Sequence, residues 1–404
     1  MAIAYDRIRD IVRRSDELQK QLKIQLNEPK GVKTLKRRWS VSEAANLVER
    51  TRQAIREAED RGKLPTPQRD PKTRRHAGYS LAEINAMYDV FNTRPMRSRA
   101  EDPLCVLPVQ NFKGGVSKSV TAVHIAEYLS MRGLRTLAID CDSQASMTRL
   151  LSGYNPDEDL DEGDTLKPYL FGEQKSIRYA IRDTHWPGLK LIPSNLSLYA
   201  AEYGLASSMS KSGASGRGWL SLRRGVETIA DDFDCVVIDP PPALGMISLN
   251  VMYAANAMLI PMPPNMLDFY STAQFFQMLE EVMGTLGERD EISRNLEYSF
   301  VKILISRKKQ RSVGEDRPQD VIVNLAESMF GDYLMESVMY ESEEVEAAIG
   351  ANRTIYELEE PMTSHNTYRR AINTFDSIGN EVLRMIRRSW PSHVRKAEHD
   401  GKTI

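Results

Sequence analysis

Cysteine is scarce, with three in 404 residues. That is too few for a disulfide framework. Cys141 and Cys235 lie in or beside apolar, strand-like runs, so reduced, packed thiols in a cytoplasm are expected. Long apolar runs are missing too; none approaches the ~18 residues needed to span a bilayer. The opening Met1-Ala2-Ile3-Ala4-Tyr5-Asp6-Arg7 puts charge where a signal peptide needs an apolar stretch. Net charge is small, at −2. Hydrophobic residues at 41% and charged residues at 27% are ordinary for a globular protein, and the length suits two or three domains.

The small total charge hides an asymmetry. Residues 1–100 carry 23 Lys/Arg against 13 Asp/Glu, so the remainder is acidic. A basic N-terminal quarter suggests nucleic acid as a partner; a solvated basic face is the plainer alternative. Residues 1–30 read as an amphipathic helix. Ile8, Ile11, Val12, Leu18, Leu22 and Leu26 recur at helical spacing before the breaker Asn27-Glu28-Pro29-Lys30-Gly31. Its stripe must bury on its own body or on the same helix of a second chain.

Residues 36–92 read as a compact helical unit. Ser40 with Glu43 forms a capping pattern, and Thr51 opens a helix through Arg52 and Arg56 that ends at Gly62. A Pro-rich stretch then leads to Lys72-Thr73-Arg74-Arg75-His76, and a last helix runs from Ala82 to Phe91. Helix, turn, Arg-bearing helix and basic wing suit a winged helix-turn-helix of MerR-like type. In such a unit Arg52 and Arg56 enter the major groove while Arg74 and Arg75 reach the backbone. A small bundle with a solvated basic surface remains the alternative. Residues 93–102 read as a polar linker.

From residue 103 to 392 short apolar runs alternate with helical stretches, the pattern of a mainly parallel α/β sheet flanked by helices. The strand candidates are Leu104–Val109, Arg135–Ile139, Leu189–Pro193, Cys235–Ile238, Ala257–Ile260 and Phe300–Ile305. Ser207 to Gly218 reads as a mobile loop, and residues 393–404 as a polar tail.

The densest signal is Lys113-Gly114-Gly115-Val116-Ser117-Lys118-Ser119, after one strand candidate and before a helix starting near Val120. Glycines let backbone N–H groups turn to phosphate oxygens, and a helix N-terminus adds partial positive charge. Lys118 offers a cation to the β- and γ-phosphates and Ser119 a hydroxyl to Mg²⁺. Downstream, Leu137-Ala138-Ile139-Asp140-Cys141-Asp142 and Val236-Val237-Ile238-Asp239 are apolar strands ending in carboxylates.

The motif departs from the ordinary P-loop and resembles the deviant Walker A family that includes ParA, MinD, nitrogenase iron protein and the arsenite-pump ATPase. Members more often carry Gly where Ser117 stands. The resemblance implies an ATP/ADP and Mg²⁺ site in which Lys113 reaches across a nucleotide-sandwich dimer. It also implies Asp140 near the metal side, Asp142 orienting water, and Asp239 holding Mg²⁺ through its water shell. His185-Trp186-Pro187-Gly188 to Asn195 resembles the corresponding stretch of large plasmid ParA proteins. An N-terminal helix plus winged helix ahead of the ATPase is similar to the long, autoregulating ParA class and to RepA partition proteins of alphaproteobacterial-type plasmids. Those imply slow ATP hydrolysis, specific operator binding through the winged helix, non-specific DNA binding by the ATPase dimer, a ParB-type centromere-binding partner and a cytoplasmic, nucleoid-associated life.

Arg369, Arg370, Arg384, Arg387 and Arg388 are candidates for the bulk-DNA face. Val382, Met385, Ile386 and Trp390 form an apolar stripe among them, expected to pack on the domain. A MinD-like membrane helix is the competing use of that stripe, and a nucleotide-switched repressor with little turnover is the non-enzyme alternative.

Overall fold

A computed structural model describes residues 2–25, 33–66, 68–69, 74, 76–211, 218–288, 291–310, 318–399 and 401. The chain divides into two units, Met1–Lys33 and Thr34–Ile404. The first is a helix, α1 (Ala2–Gln25). Arg13 and Arg14 pair with Asp10 one turn away, at 2.9 and 2.8 Å. The expected stripe is uncovered within the unit, with Ile8, Ile11, Val12 and Leu18 exposed. The side chain of Leu22 and the whole of Leu26 lie outside the described residues.

The second unit begins with three helices, α2 (Val41–Leu47), α3 (Arg52–Asp60) and α4 (Leu81–Phe91). Two capping boxes, Ser40 with Glu43 and Ser80 with Glu83, satisfy first-turn N–H groups of α2 and α4. Thr51 caps α3, and Gly62, at φ +69°, follows it. A bridge between Arg69 and His76 and another between Trp39 and Tyr79, both antiparallel, close the segment after α3.

The sheet contains β1 (Cys105–Pro108), β2 (Thr136–Asp140), β3 (Arg182–Asp183), β4 (Leu189–Ile192), β5 (Cys235–Asp239), β6 (Ala257–Met262), β7 (Phe300–Lys308) and β8 (Leu334–Tyr340). One part runs β1-β5-β2-β4-β3 and the other β6-β7-β8. A Val109–Leu259 bridge, with Gln110 N donating to Leu259 O at 2.8 Å, joins them between β1 and β6. Among these pairings only β3–β4 is antiparallel. Side chains alternate between the faces: Val237 and Ala138 enter one core, Val236, Ile238, Leu137 and Ile139 the other. Burial on both faces explains why these strands read as continuous apolar runs.

The first of those cores crosses into the helical segment. Trp39, Ile55, Ile84 and Tyr88 share it with Tyr128, Met131 and Trp186. Trp39 meets Trp186 edge to face at 6.2 Å. The Tyr88 hydroxyl lies 2.8 Å from Leu47 O and 3.0 Å from Met131 O, while Arg37 donates to Tyr356 O at 3.1 Å.

Residues 93–102 are not a free linker. Arg94 donates to Gly133 O at 2.9 Å and to Asn85 O at 2.7 Å. Arg97 is buried and donates to Phe233 O at 3.1 Å and Asp102 O at 2.8 Å. Asp102, also buried, accepts from the backbone of Ser98 at 2.7 Å and of Ser392 at 2.9 Å. Polar residues here are buried because backbone groups satisfy them.

The Ser207–Gly218 loop is also corrected in part. A helix, Ser197–Lys211, takes its first residues, Gly218 opens a 3₁₀ turn, and 212–217 lie outside the described residues. The first part of the expected polar tail belongs to a helix, Pro391–His399, while 400 and 402–404 lie outside the described residues. Val382, Ile386 and Trp390 are fully buried and Met385 partly so, as expected for a stripe that packs on the domain. Among the described residues no helix is long and apolar enough to cross a membrane.

Candidate nucleotide site

β1 leads into a loop that ends in helix α5 (Lys118–Met131). Phe112 anchors the loop edge to face on Phe275 at 4.6 Å. Asn111 fixes its start, donating to Pro261 O at 2.9 Å and accepting from Lys113 N at 3.0 Å. Two residues turn the chain through the left-handed region, Gly115 at φ +76° and Ser117 at φ +73°. Glycine holds that conformation without strain, whereas Ser117 adopts it at a cost of about 1 kcal/mol. Apart from the adjoining residues, nothing lies within 4 Å of where a side chain would start at Gly114 or Gly115, so the loop is open there. Val116 is buried, its carbonyl accepting from the Ser306 hydroxyl at 3.1 Å, whereas Ser119 and Val120 are half-buried at the mouth of α5.

Lys118 is buried and donates to Lys113 O at 2.9 Å. Burial pulls its proton affinity down, against the pull of Asp239 and Asp142. Asp140 and Asp239 end neighbouring strands and are paired in register. Both are fully buried, but they differ in what they touch. Asp140 accepts from Thr148 N at 2.8 Å, the Thr148 hydroxyl at 2.7 Å and Asp142 N at 3.1 Å. Burial still pushes its pKa up to about 7, with the nearby Asp142 charge adding to the rise. Neither Asp239 oxygen has a hydrogen bond of good geometry. Burial, then the Asp140 charge, holds Asp239 well above the carboxylate range, with the nearby Ser119 hydroxyl and Lys118 working in the opposite direction. Asp142 is half-buried at the rim and accepts from Gln144 N at 2.9 Å.

An orphaned buried carboxylate facing a serine hydroxyl and a lysine fits a hydrated Mg²⁺. That ion is held by few protein ligands and keeps several waters. Among the described residues no His/Cys/Asp/Glu cluster forms an all-protein cage. Asp140, with both oxygens engaged by its own chain, fits a role of supporting the Asp142 turn better than direct metal contact.

Beyond the loop, Lys113–Val116 line a cavity of about 410 Å³ with Pro263, Asn265, Asp268, Arg307, Lys309 and Glu341. Arg307, at φ +54°, donates to Gly115 O at 3.1 Å and lies 3.5 Å from Glu341. Lys113 is 2.5 Å from Asp268.

Known proteins share this architecture. Residues 105–292 match the family model described as an AAA domain. Protein SopA of Escherichia coli strain K12 is 33% identical over 358 residues, 88% of this chain and 90% of SopA. The chromosome partitioning protein ParA of Caulobacter vibrioides strain NA1000 is 30% identical over 240 residues, 59% of this chain and 81% of that protein. The chain belongs to the ParA family of partition ATPases. A solved partition protein shares the fold over 95% of this chain and 98% of its own, with a TM-score of 0.63 at 18% identity. The ATP complex of a Cyanothece McdA variant shares it over 70% and 97%, with a TM-score of 0.57 at 20% identity.

In this ParA-family chain the sequence-predicted nucleotide residues converge on one site: Lys113 to Val120, Asp140, Asp142 and Asp239. The predicted DNA residues lie elsewhere. Arg52 and Arg56 are exposed on one face of α3. Arg74 is exposed at φ +55°, its carbonyl accepting from Arg69 at 3.2 Å, and Arg75 lies outside the described residues. On the helix His365–Arg388, Arg369, Arg370, Arg384 and Arg388 are exposed, but Arg387 is half-buried and donates to His393 at 3.3 Å. Asp268 and Arg307 are additions that the sequence does not announce. Neither stands in a local motif; the tertiary fold brings them to the loop.

Proposed function

We propose that this chain is an ATP-dependent DNA partition protein, in which bound ATP pairs two chains and hydrolysis to ADP and phosphate releases them. The observation that carries the nucleotide half is the fully buried Asp239 carboxylate at the end of the strand beside the glycine loop's helix. It has no hydrogen bond of good geometry and only the Ser119 hydroxyl and the Lys118 charge to offset its burial. Magnesium, when bound there, would neutralise charge on the phosphates. Lys118 would turn from Lys113 O to the β- and γ-phosphates, the loop N–H groups would hold the remaining oxygens, and Asp142 would orient water. Lys113 would serve the partner's phosphates, and an exposed α1 stripe would give the pair a second contact.

DNA is read in two ways in this proposal. Residues 36–92 act as a winged helix on the operator of the chain's own operon, with Arg52 and Arg56 in the major groove and the Arg74–Arg75 segment on the backbone. The paired ATPase regions grip bulk DNA through Arg369, Arg384 and Arg388, and a ParB-type protein is the centromere-bound partner. The nearly full-length match to SopA supports this assignment. A repressor with little turnover would follow if the Ser117 side chain crowded the loop. Ser117 instead holds the turn a glycine would hold, which favours an intact nucleotide site.

The test is calorimetric titration of the full chain with Mg²⁺-ATP, alongside phosphate release with and without DNA. Saturable binding and slow, DNA-stimulated turnover are expected. Absence of both would remove the proposal.

A further inference from the structure

The two lysines of the phosphate loop are restrained differently. Lys118 is tied to the backbone of Lys113. The Lys113 ammonium is tied to Asp268 Oδ1, at 2.5 Å, from a different part of the chain. Asp268 lies in the first turn of the helix Met266–Gly287, where Asn265 is the N-cap and accepts from Asp268 N at 3.0 Å. The Asn265 side-chain amide in turn donates to Asp268 Oδ2. Each carboxylate oxygen therefore faces its own partner, Asn265 for one and Lys113 for the other.

The two members of the pair are not equally mobile. The Asp268 side chain is 7% exposed and fixed by its cap, whereas the Lys113 side chain is 38% exposed on a flexible stem. Any change must move the lysine. A buried carboxylate that loses its cation is costly, so Lys113 leaves only for a stronger anion. Phosphate oxygens bound at the loop would be such an anion. Their arrival would also compete with the Lys113 carbonyl for the Lys118 ammonium, releasing one restraint on the backbone that carries Lys113. Beside the pair, Met266, Leu267 and Tyr270 expose apolar surface that a second chain closing over the loop would cover.

We propose that Asp268 is a positioning residue that holds the Lys113 ammonium within its own chain until nucleotide fills the loop, and so sets the ATP level at which two chains pair. The inference rests on the nucleotide-dimer reading above and adds its control. Without the restraint, Lys113 would be free to engage a partner's phosphates at lower occupancy.

The experiment uses the full chain, its Asp268→Asn variant and the charge-keeping Asp268→Glu. Two quantities are read: the rate of amine labelling at Lys113 without nucleotide, by mass spectrometry, and the Mg²⁺-ATP concentration giving half-maximal pairing, by sedimentation. Asp268→Asn should label faster and pair at about fivefold lower ATP, the scale of a partly exposed ion pair. Asp268→Glu should stay near the parent in both. A purely structural role would lower thermal stability while leaving both readings in place. Equal labelling, or pairing that needs as much ATP or more, would overturn the inference. Faster labelling in proteins that do not pair with ATP at all would mark failure of the dimer reading, and not of the restraint itself.

Discussion

Tyr88 is where the proposed DNA-reading segment and the ATPase sheet are joined most tightly, and its removal should be felt by both. The side chain is 1% exposed. Its ring fills the space beside Gly133, where a Cβ would come within 3.1 Å of it, and its hydroxyl lies between Leu47 O and Met131 O. Tyr88→Phe removes only the hydroxyl and should cost about 1–2 kcal/mol. Tyr88→Ala opens a cavity against α5 and should cost about 3–5 kcal/mol. The assay is urea unfolding followed by tryptophan fluorescence, because Trp39 and Trp186 face each other across the same seam. One cooperative transition is expected for residues 34–404, moving to lower urea in the order parent, Phe, Ala. If Tyr88→Ala instead produced an early transition of the helical segment alone, with the remainder unfolding as in the parent, the shared core would be refuted. A fragment of residues 1–100 is a poor substitute for the full chain, since the cut would bare Trp39 and Tyr88.

Asp140 has a folded pKa of about 7, well above the ordinary 3.8 of its carboxyl. Its stabilising share is therefore fully present below about pH 4 and lost as pH rises through 7; melting of the nucleotide-free protein should show this fall, and Asp140→Asn should flatten it. Lys118→Ala should abolish Mg²⁺-ATP binding by calorimetry. Asp142→Ala should keep ATP but hydrolyse it far more slowly, accumulating as a pair in sedimentation; a monomer with normal turnover would contradict the water-orienting role. Arg52→Ala should weaken operator binding by about 1–3 kcal/mol and random-DNA binding less, whereas Arg74→Ala should weaken both alike and lower the salt slope by about 1; equal losses from the two would argue against base reading by α3.

The parts of this architecture visible in the sequence are those written in contiguous residues. The phosphate loop, its helix and the two carboxylate-ended strands are each a short local pattern, and all converge. Six strands are visible as apolar runs because both of their faces are buried. β3 is two residues long, too short to carry a pattern. β8 interrupts its apolar residues with Glu336 and Ser337, whose N–H groups are taken by Glu381 at 3.0 and 2.8 Å. Arg94, Arg97 and Asp102 read as solvent-facing because charged residues usually are; here carbonyls and helix N–H groups far along the chain satisfy them. Asp268 and Arg307 belong to the site only through tertiary packing.

The central claim is that nucleotide at the Lys113–Ser119 loop decides whether the protein grips bulk DNA. It is tested most directly by binding of the full chain to random duplex DNA at fixed salt, without nucleotide, with ADP and with ATP, each in the presence of Mg²⁺. In the proposed pair the phosphate contacts of Arg369, Arg384 and Arg388 would be doubled, so affinity should rise steeply with ATP alone. The rise should vanish in Lys118→Ala and shrink in Arg384→Ala/Arg388→Ala. Equal affinity in all three nucleotide conditions would contradict the account.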